Sequence, residues 1–220
     1  MSVKLLVSGA AASGKTTLLS SLEDVLIIAI DGKKYPFKQA HRNIAAFDVM
    51  DDLTNNINEA IVAYKDKKGE FPKTIAIDSV SRVFEITANN CNRKLTGFNV
   101  YSELNKEVAK FTAYIEDVLI ANGLNVVIVS HTIYNQDTMK HDLVAQGSFA
   151  KLGGFLSIVD NAVFIETKAN KRIVHNRSIK FPARTILADL KDSVPSDEYD
   201  IQEHIHKLEK VKDEVAEFII

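Results

Sequence analysis

Near the start of the chain, the eight residues Gly9-Ala-Ala-Ala-Ser-Gly14-Lys15-Thr16 fit the pattern G-x-x-x-x-G-K-[ST] in full. The apolar run Val3–Val7 leads into them, and a helix-forming stretch, Thr17 to Leu22, follows. A loop without bulky side chains between a strand and a helix turns its backbone N–H groups inward, where they can hold phosphate oxygens. Gly9, Ala10, Ala11, Ala12, Ser13, Gly14, Lys15, Thr16 and Thr17 are therefore the expected nucleotide contacts. Lys15 is expected to reach the β- and γ-phosphates, Thr16 to give its hydroxyl to Mg²⁺, and Thr17 to add a polar contact.

The rest of the chain repeats the alternation that such a loop requires. Val25–Ile30, Thr74–Ile77, Val126–Val129 and Ala162–Ile165 are short apolar runs rich in valine and isoleucine, which suits strands buried on both faces of a parallel sheet. Leu104, Val108, Phe111, Ile115, Val118 and Leu119 recur at three- and four-residue intervals, as one helix face does when it packs on a sheet. Lys171–Val174 and Thr185–Leu187 read as later strands, with Ala169–Asn170 as a tight turn. The fold expected is α/β, with a mostly parallel central sheet flanked by helices.

Residues 1–195 read as one domain and 196–220 as an acidic amphipathic helix starting at Ser196-Asp197-Glu198. Ile201, Leu208 and Val215 recur every seven residues, with Val211 and Phe218 between and beyond them. Folding back onto the domain and binding a partner or a second copy both fit that pattern. The longest apolar run, Val25–Ile30, is far short of the roughly 18 residues of a membrane span. With Cys91 as the single cysteine, no intramolecular disulfide can form, and a cytoplasmic location is expected.

A phosphate loop of this class needs a carboxylate at the end of a neighbouring strand to support the metal. Thr74-Ile-Ala-Ile-Asp78 provides it, so Thr16 and Asp78 are the expected metal residues. Capping of the following helix is the other use of a strand-end aspartate.

The order of the phosphate loop, Val25-Leu-Ile-Ile-Ala-Ile-Asp31, Ile75-Ala-Ile-Asp78-Ser79 and Val127-Ile-Val-Ser130-His131 resembles the RecA-like ATPases. Within them it is most similar to short, phage-encoded RecA/RadA-like proteins of single-strand annealing and recombination, over about residues 3–190. The resemblance implies a RecA-like core, ATP and Mg²⁺ as cofactors, single-stranded DNA as partner and assembly into a homo-oligomer. A single-strand-binding or replication protein is a further implied partner, and the host cytoplasm the implied location.

It also implies roles for residues. His131, closing its strand, would sense the γ-phosphate. His175-Asn176-Arg177 is similar to an element that supplies a cation in trans, which makes Arg177 the expected finger, ahead of Lys180 and Arg184. In such ATPases the second strand often ends Ile-Asp-x-Glu, and the glutamate orients the attacking water. Here Ile30-Asp31-Gly32-Lys33 has lysine in its place, so Asp31, or Glu85 from elsewhere, would stand in, or hydrolysis would be slow. Losing a positioned base costs on the order of 10² to 10⁴ in rate.

Net charge is −2, yet its distribution is uneven. Lys and Arg against Asp and Glu number 15 and 15 in residues 1–130, 8 and 4 in 131–184, and 4 and 10 in 185–220. The basic segment falls where RecA-like proteins place a mobile DNA loop. There Tyr134, Lys140, Phe149 and Lys151 offer stacking faces and charge to a single strand. On charge alone, the acidic helix is expected to compete with DNA for that segment. Two other functions remain open: a nucleotide-controlled switch on a partner protein, and a small-molecule kinase, which the scattered Arg42, Arg82 and Arg93 disfavour.

Overall fold

The computed structural model describes residues 1–32 and 34–216. The apolar runs form the core of a nine-stranded sheet. Its strands are β1 (Lys4–Gly9), β2 (Val25–Ala29), β3 (Ala40–Asn43), β4 (Thr74–Asp78), β5 (Asn125–Asn135), β6 (Lys140–Leu143), β7 (Asn161–Lys168), β8 (Lys171–His175) and β9 (Ser193–Pro195). The order is β3-β2-β4-β5-β1-β7-β8-β9. The six strands from β3 to β7 in that order run parallel, β8 and β9 join antiparallel, and β6 folds back on the end of β5.

Alternate residues of each central strand face opposite layers. Leu6, Ile28, Ile77 and Ile128 pack with α2 (Met50–Lys68), α3 (Val80–Lys94) and α4 (Phe98–Ala113). Leu5, Val7, Ile27 and Val129 face Leu19 and Leu22 after the short helix α1 (Lys15–Leu18), together with Ile201, Ile205 and Leu208 of α6 (Ile201–Ala216). Each such side chain removed from water stabilises the fold by roughly 1.5–3 kcal/mol before entropy is counted. The α4 face continues as a π-helical turn through Ile120. A five-residue helix, α5 (Gly147–Lys151), completes the set.

Ala169 and Asn170, with φ of 46° and 63°, make the expected tight turn between β7 and β8. Thr185–Leu187 is not a strand. Only Arg184 bridges to Ala162 there, and Asn161 Oδ1 and Thr185 Oγ1 take the N–H groups of Ile186 and Leu187, so side chains replace a ladder. The edge is closed by β9 instead. The terminal helix starts later than Ser196, because Asp200 Oδ1 accepts from the N–H groups of Gln202 and Glu203 and so caps Ile201.

α6 is folded back onto the domain: Ile201, Ile205 and Leu208 are fully buried, whereas Val215 is 56% exposed, so the seven-residue repeat is not sustained. Phe218 lies outside the described residues. The second half of α6 is tied to strand starts, where Glu209 accepts from Asn125 Nδ2 at 2.7 Å and Lys212 pairs with Asp160 at 3.0 Å. The β5–β6 hairpin is at the other end of β5, so competition between this helix and DNA for the hairpin does not fit its placement. Among the described residues, no helix is long and apolar enough to cross a membrane.

Candidate nucleotide site

β1 delivers the phosphate loop to the end of the sheet where the parallel strands finish. Its last residue, Gly9, is in register with His131 of β5 on one side and Ile165 of β7 on the other. A Cβ on Gly9 would stand 2.7 Å from both the Ile165 carbonyl oxygen and Ser13 Oγ, so any side chain would force backbone apart. Gly14 opens α1 with φ near +100°, a conformation costly for other residues. The Arg172 side chain, from β8, crosses over it, with Cδ, Nε and Cζ each 3.2 Å from the place a Cβ would take.

Lys15 is only 5% exposed. Its Nζ donates to the carbonyl oxygens of Gly9 and Ala10, at 2.9 and 2.6 Å, which folds the cation along the loop. Thr16 Oγ1 donates to Asp78 Oδ2 at 2.8 Å. Asp78 ends β4 between Ala29 of β2 and Val129 of β5, and the peptide that follows it is cis.

Tyr35 joins this pair, donating its hydroxyl to the same Asp78 oxygen at 3.3 Å. Burial first, then the carboxylates of Asp78 and Asp31, push the phenol well above its usual range, so it remains a donor. Asp31, half-buried just beyond β2, thus shares one end of the sheet with Asp78. His131, beside Gly9, donates its backbone N–H to Ser81 Oγ at 2.8 Å, and Ser81 Oγ lies 3.3 Å from Ser130 Oγ. These bonds tie the first turn of α3 to the middle of β5, which runs on to Asn135 and does not close at His131 as the sequence suggested.

Hard oxygen donors side by side on Thr16 and Asp78 are the set that suits Mg²⁺. Ser13 Oγ is buried and has no hydrogen-bond partner among the described residues, which fits a loop shaped around an added ligand. Among the described residues, no group of three or more His, Cys, Asp or Glu side chains could hold a metal ion. Beside the loop, Ala12, Thr167, Lys171, Arg172 and Glu198 border an open cleft of about 660 Å³. That is ample for a small organic ligand.

Residues 1–196 match the family described as an AAA domain. The chain belongs to the AAA domain family. No curated protein matches it. An AAA-domain P-loop NTPase binds nucleotide, and this AAA domain has the loop, lysine, hydroxyl and strand-end carboxylate together at one end of its sheet.

The structure brings Gly9 to Thr17, Asp31, Asp78 and His131 to that end. Arg177 has its guanidinium held by the carbonyls of Leu187 and Leu190 and by Asp192, all within its own chain. Lys180 and Arg184 lie in the loop after β8. Glu85 is exposed on α3 and pairs with Arg82 at 2.6 Å. Tyr134 and Lys140 sit together on the β5–β6 hairpin. Lys151 is exposed on α5, while Phe149 turns its ring onto Phe84 and Phe155 of the core, which leaves less of it for stacking with a base. Lys33 lies outside the described residues.

Tyr35, Ser81 and Arg172 are absent from the residues singled out by sequence. Arg172 had a signal, as a cation straight after the turn that carries β7 into β8. Tyr35 had none, because its partner is 43 positions away.

Proposed function

We propose that the protein is a Mg²⁺-dependent ATPase of the RecA-like, phage-encoded kind, which acts on single-stranded DNA in recombination, annealing or replication as a homo-oligomer. The observation that carries the nucleotide part is the 2.8 Å contact between Thr16 and Asp78, which puts the loop hydroxyl against the strand-end carboxylate. When nucleotide binds, Lys15 leaves the carbonyls of Gly9 and Ala10 for the phosphates, exchanging neutral acceptors for charged ones. Mg²⁺ held with Thr16 and Asp78 would neutralise charge on the phosphate oxygens.

Asp31 is the base in this reading: it orients the attacking water and takes its proton. His131 reads the γ-phosphate at the edge of Gly9. β5 then continues without a break into the hairpin that bears Tyr134 and Lys140, a rigid path from nucleotide to the basic segment. Arg177 would act in trans only after exchanging its own-chain partners. The tetrapeptide Ile30-Asp31-Gly32-Lys33 favours a second reading, a slow switch whose bound nucleotide gates a protein partner.

Equilibrium binding of a fluorescent ATP analogue tests the nucleotide part. Affinity should depend on Mg²⁺ and fall at least a hundredfold in Lys15→Ala. Equal binding by wild type and variant would rule the loop out as the site. Binding of the matching GTP analogue decides between adenine and guanine.

A further inference from the structure

A second cleft, of about 740 Å³, lies between the β5–β6 hairpin, the α5 segment and the loop after β8. Its walls include Lys140 and His141 from β6 and Lys180, Phe181 and Arg184 from the loop, two segments some 40 residues apart in sequence that a backbone bond from His141 N to Lys180 O at 3.1 Å draws together. The loop is fixed: Ser178 bridges to Ala183, and Ser178 Oγ accepts from the N–H groups of Lys180 and Phe181.

Three cations thus face one lining carboxylate, Asp142, and that carboxylate is already engaged by Asn135 Nδ2 at 2.9 Å. Among the described residues, neither Lys140 nor Lys180 forms an ion pair. The floor is aromatic: His141 lies 5.3 Å from both Tyr134 and Phe181, and Phe181 stacks on Phe164 at 4.2 Å. His141 Nδ1 is buried with no hydrogen-bond partner among the described residues. A buried ring nitrogen without a partner is costly and marks a place where one is missing. Two lysines without ion pairs, beside Arg184 whose guanidinium also donates to the Val159 carbonyl, together with ring faces and an unused polar atom in one cleft, are the chemistry that holds a phosphate and its base.

We propose that this cleft, separate from the phosphate loop, takes one nucleotide unit of a single strand. The phosphate sits on Lys140, Lys180 and Arg184, and the base meets His141 and the rings beside it. The proposal rests on the single-stranded DNA reading above and names the site for it, in which Lys180, Phe181 and Arg184 replace Phe149 and Lys151 as the partners of Tyr134 and Lys140. Because β5 places His131 against Gly9 and Tyr134 against His141, one strand touches both ligands.

The test measures fluorescence anisotropy of a labelled thymidine oligonucleotide of about 16 residues, with full-length protein and an ATP analogue present. Wild type is compared with Lys140→Ala/Lys180→Ala and with Lys65→Ala/Lys67→Ala, a control on α2, after thermal melts show all three folded. The cleft variant should bind at least tenfold more weakly. Its log affinity against log salt should be shallower by about 1.4, two contacts at roughly 0.7 each for a single strand. The control and the affinity for the ATP analogue should not change.

Wild-type binding that the cleft variant retains in full would overturn the cleft and leave the DNA reading standing. No oligonucleotide binding by wild type would overturn both. If free thymidine monophosphate binds as tightly as the oligonucleotide and with the same sensitivity to Lys140 and Lys180, the ligand is a free nucleotide and the single-strand source is overturned.

Discussion

Tyr35 donates its hydroxyl to Asp78 across 3.3 Å, onto the carboxylate oxygen that also accepts from Thr16 at 2.8 Å. Two donors share one oxygen, but only Thr16 belongs to the phosphate loop. In the proposed Mg²⁺ complex, where Thr16 turns to the cation, the Tyr35 hydroxyl is a contact that still holds Asp78.

Tyr35→Phe should therefore raise the Mg²⁺ concentration for half-maximal turnover by about two- to tenfold, the worth of one hydrogen bond of about 0.5–1.5 kcal/mol. Turnover at saturating Mg²⁺ should change little. A Mg²⁺ titration of ATPase rate reads both. Thr16→Ala, which removes a direct oxygen donor, should shift the same curve further.

Arg172→Ala should weaken binding of a fluorescent ATP analogue by about tenfold while leaving the melting temperature nearly unchanged. The side chain is exposed and lies over Gly14, so its loss removes a charge beside the phosphate loop and little buried area. Isothermal binding together with a thermal melt checks both halves.

Much of this site is legible in the chain because its parts are local. Gly9 to Thr16 is one uninterrupted motif, and Asp78 closes an apolar run whose length announces a strand. The alternating layers were legible for the same reason, since the valine and isoleucine runs are buried on both faces. What escaped depends on contacts distant in sequence or on polar segments. β6, Lys-His-Asp-Leu, has no apolar pattern and is a strand only because β5 overruns the sheet and offers it an edge. Thr185–Leu187 has β-branched residues but lies where Asn161 uses its own side chain on the backbone. Phe149 looked like a free ring, and Phe84 and Phe155 claim it.

His204 gives the fold an acid-sensitive contact. It is 2% exposed, with its ring nitrogens against Asn161 Nδ2 and the Tyr199 hydroxyl, both at 2.8 Å. Burial, helped by Lys207, lowers its pKa from 6.5 to about 4. The native state keeps it neutral while the unfolded chain takes up a proton below about pH 6.5. Its contribution is thus complete above pH 6.5 and is lost as pH falls towards 4, about 3 kcal/mol in all. Urea unfolding between pH 5 and 7 should show this slope in wild type and a flatter one in His204→Gln.

Ile205→Ala should cost about 2–5 kcal/mol, lowering the melting temperature by on the order of 10 °C, because the side chain is fully buried between α6 and the sheet. Deleting residues 196–220 should destabilise the domain more. A deletion that left the melting temperature unchanged would mean that α6 is not part of the core.

ATP turnover with and without single-stranded DNA, in wild type and Lys15→Ala, is the most direct test of a nucleotide site coupled through β5 to a DNA cleft. The account predicts slow basal hydrolysis, raised severalfold or more by single-stranded DNA and abolished by Lys15→Ala. A rate indifferent to DNA, or one that survives in Lys15→Ala, would contradict it.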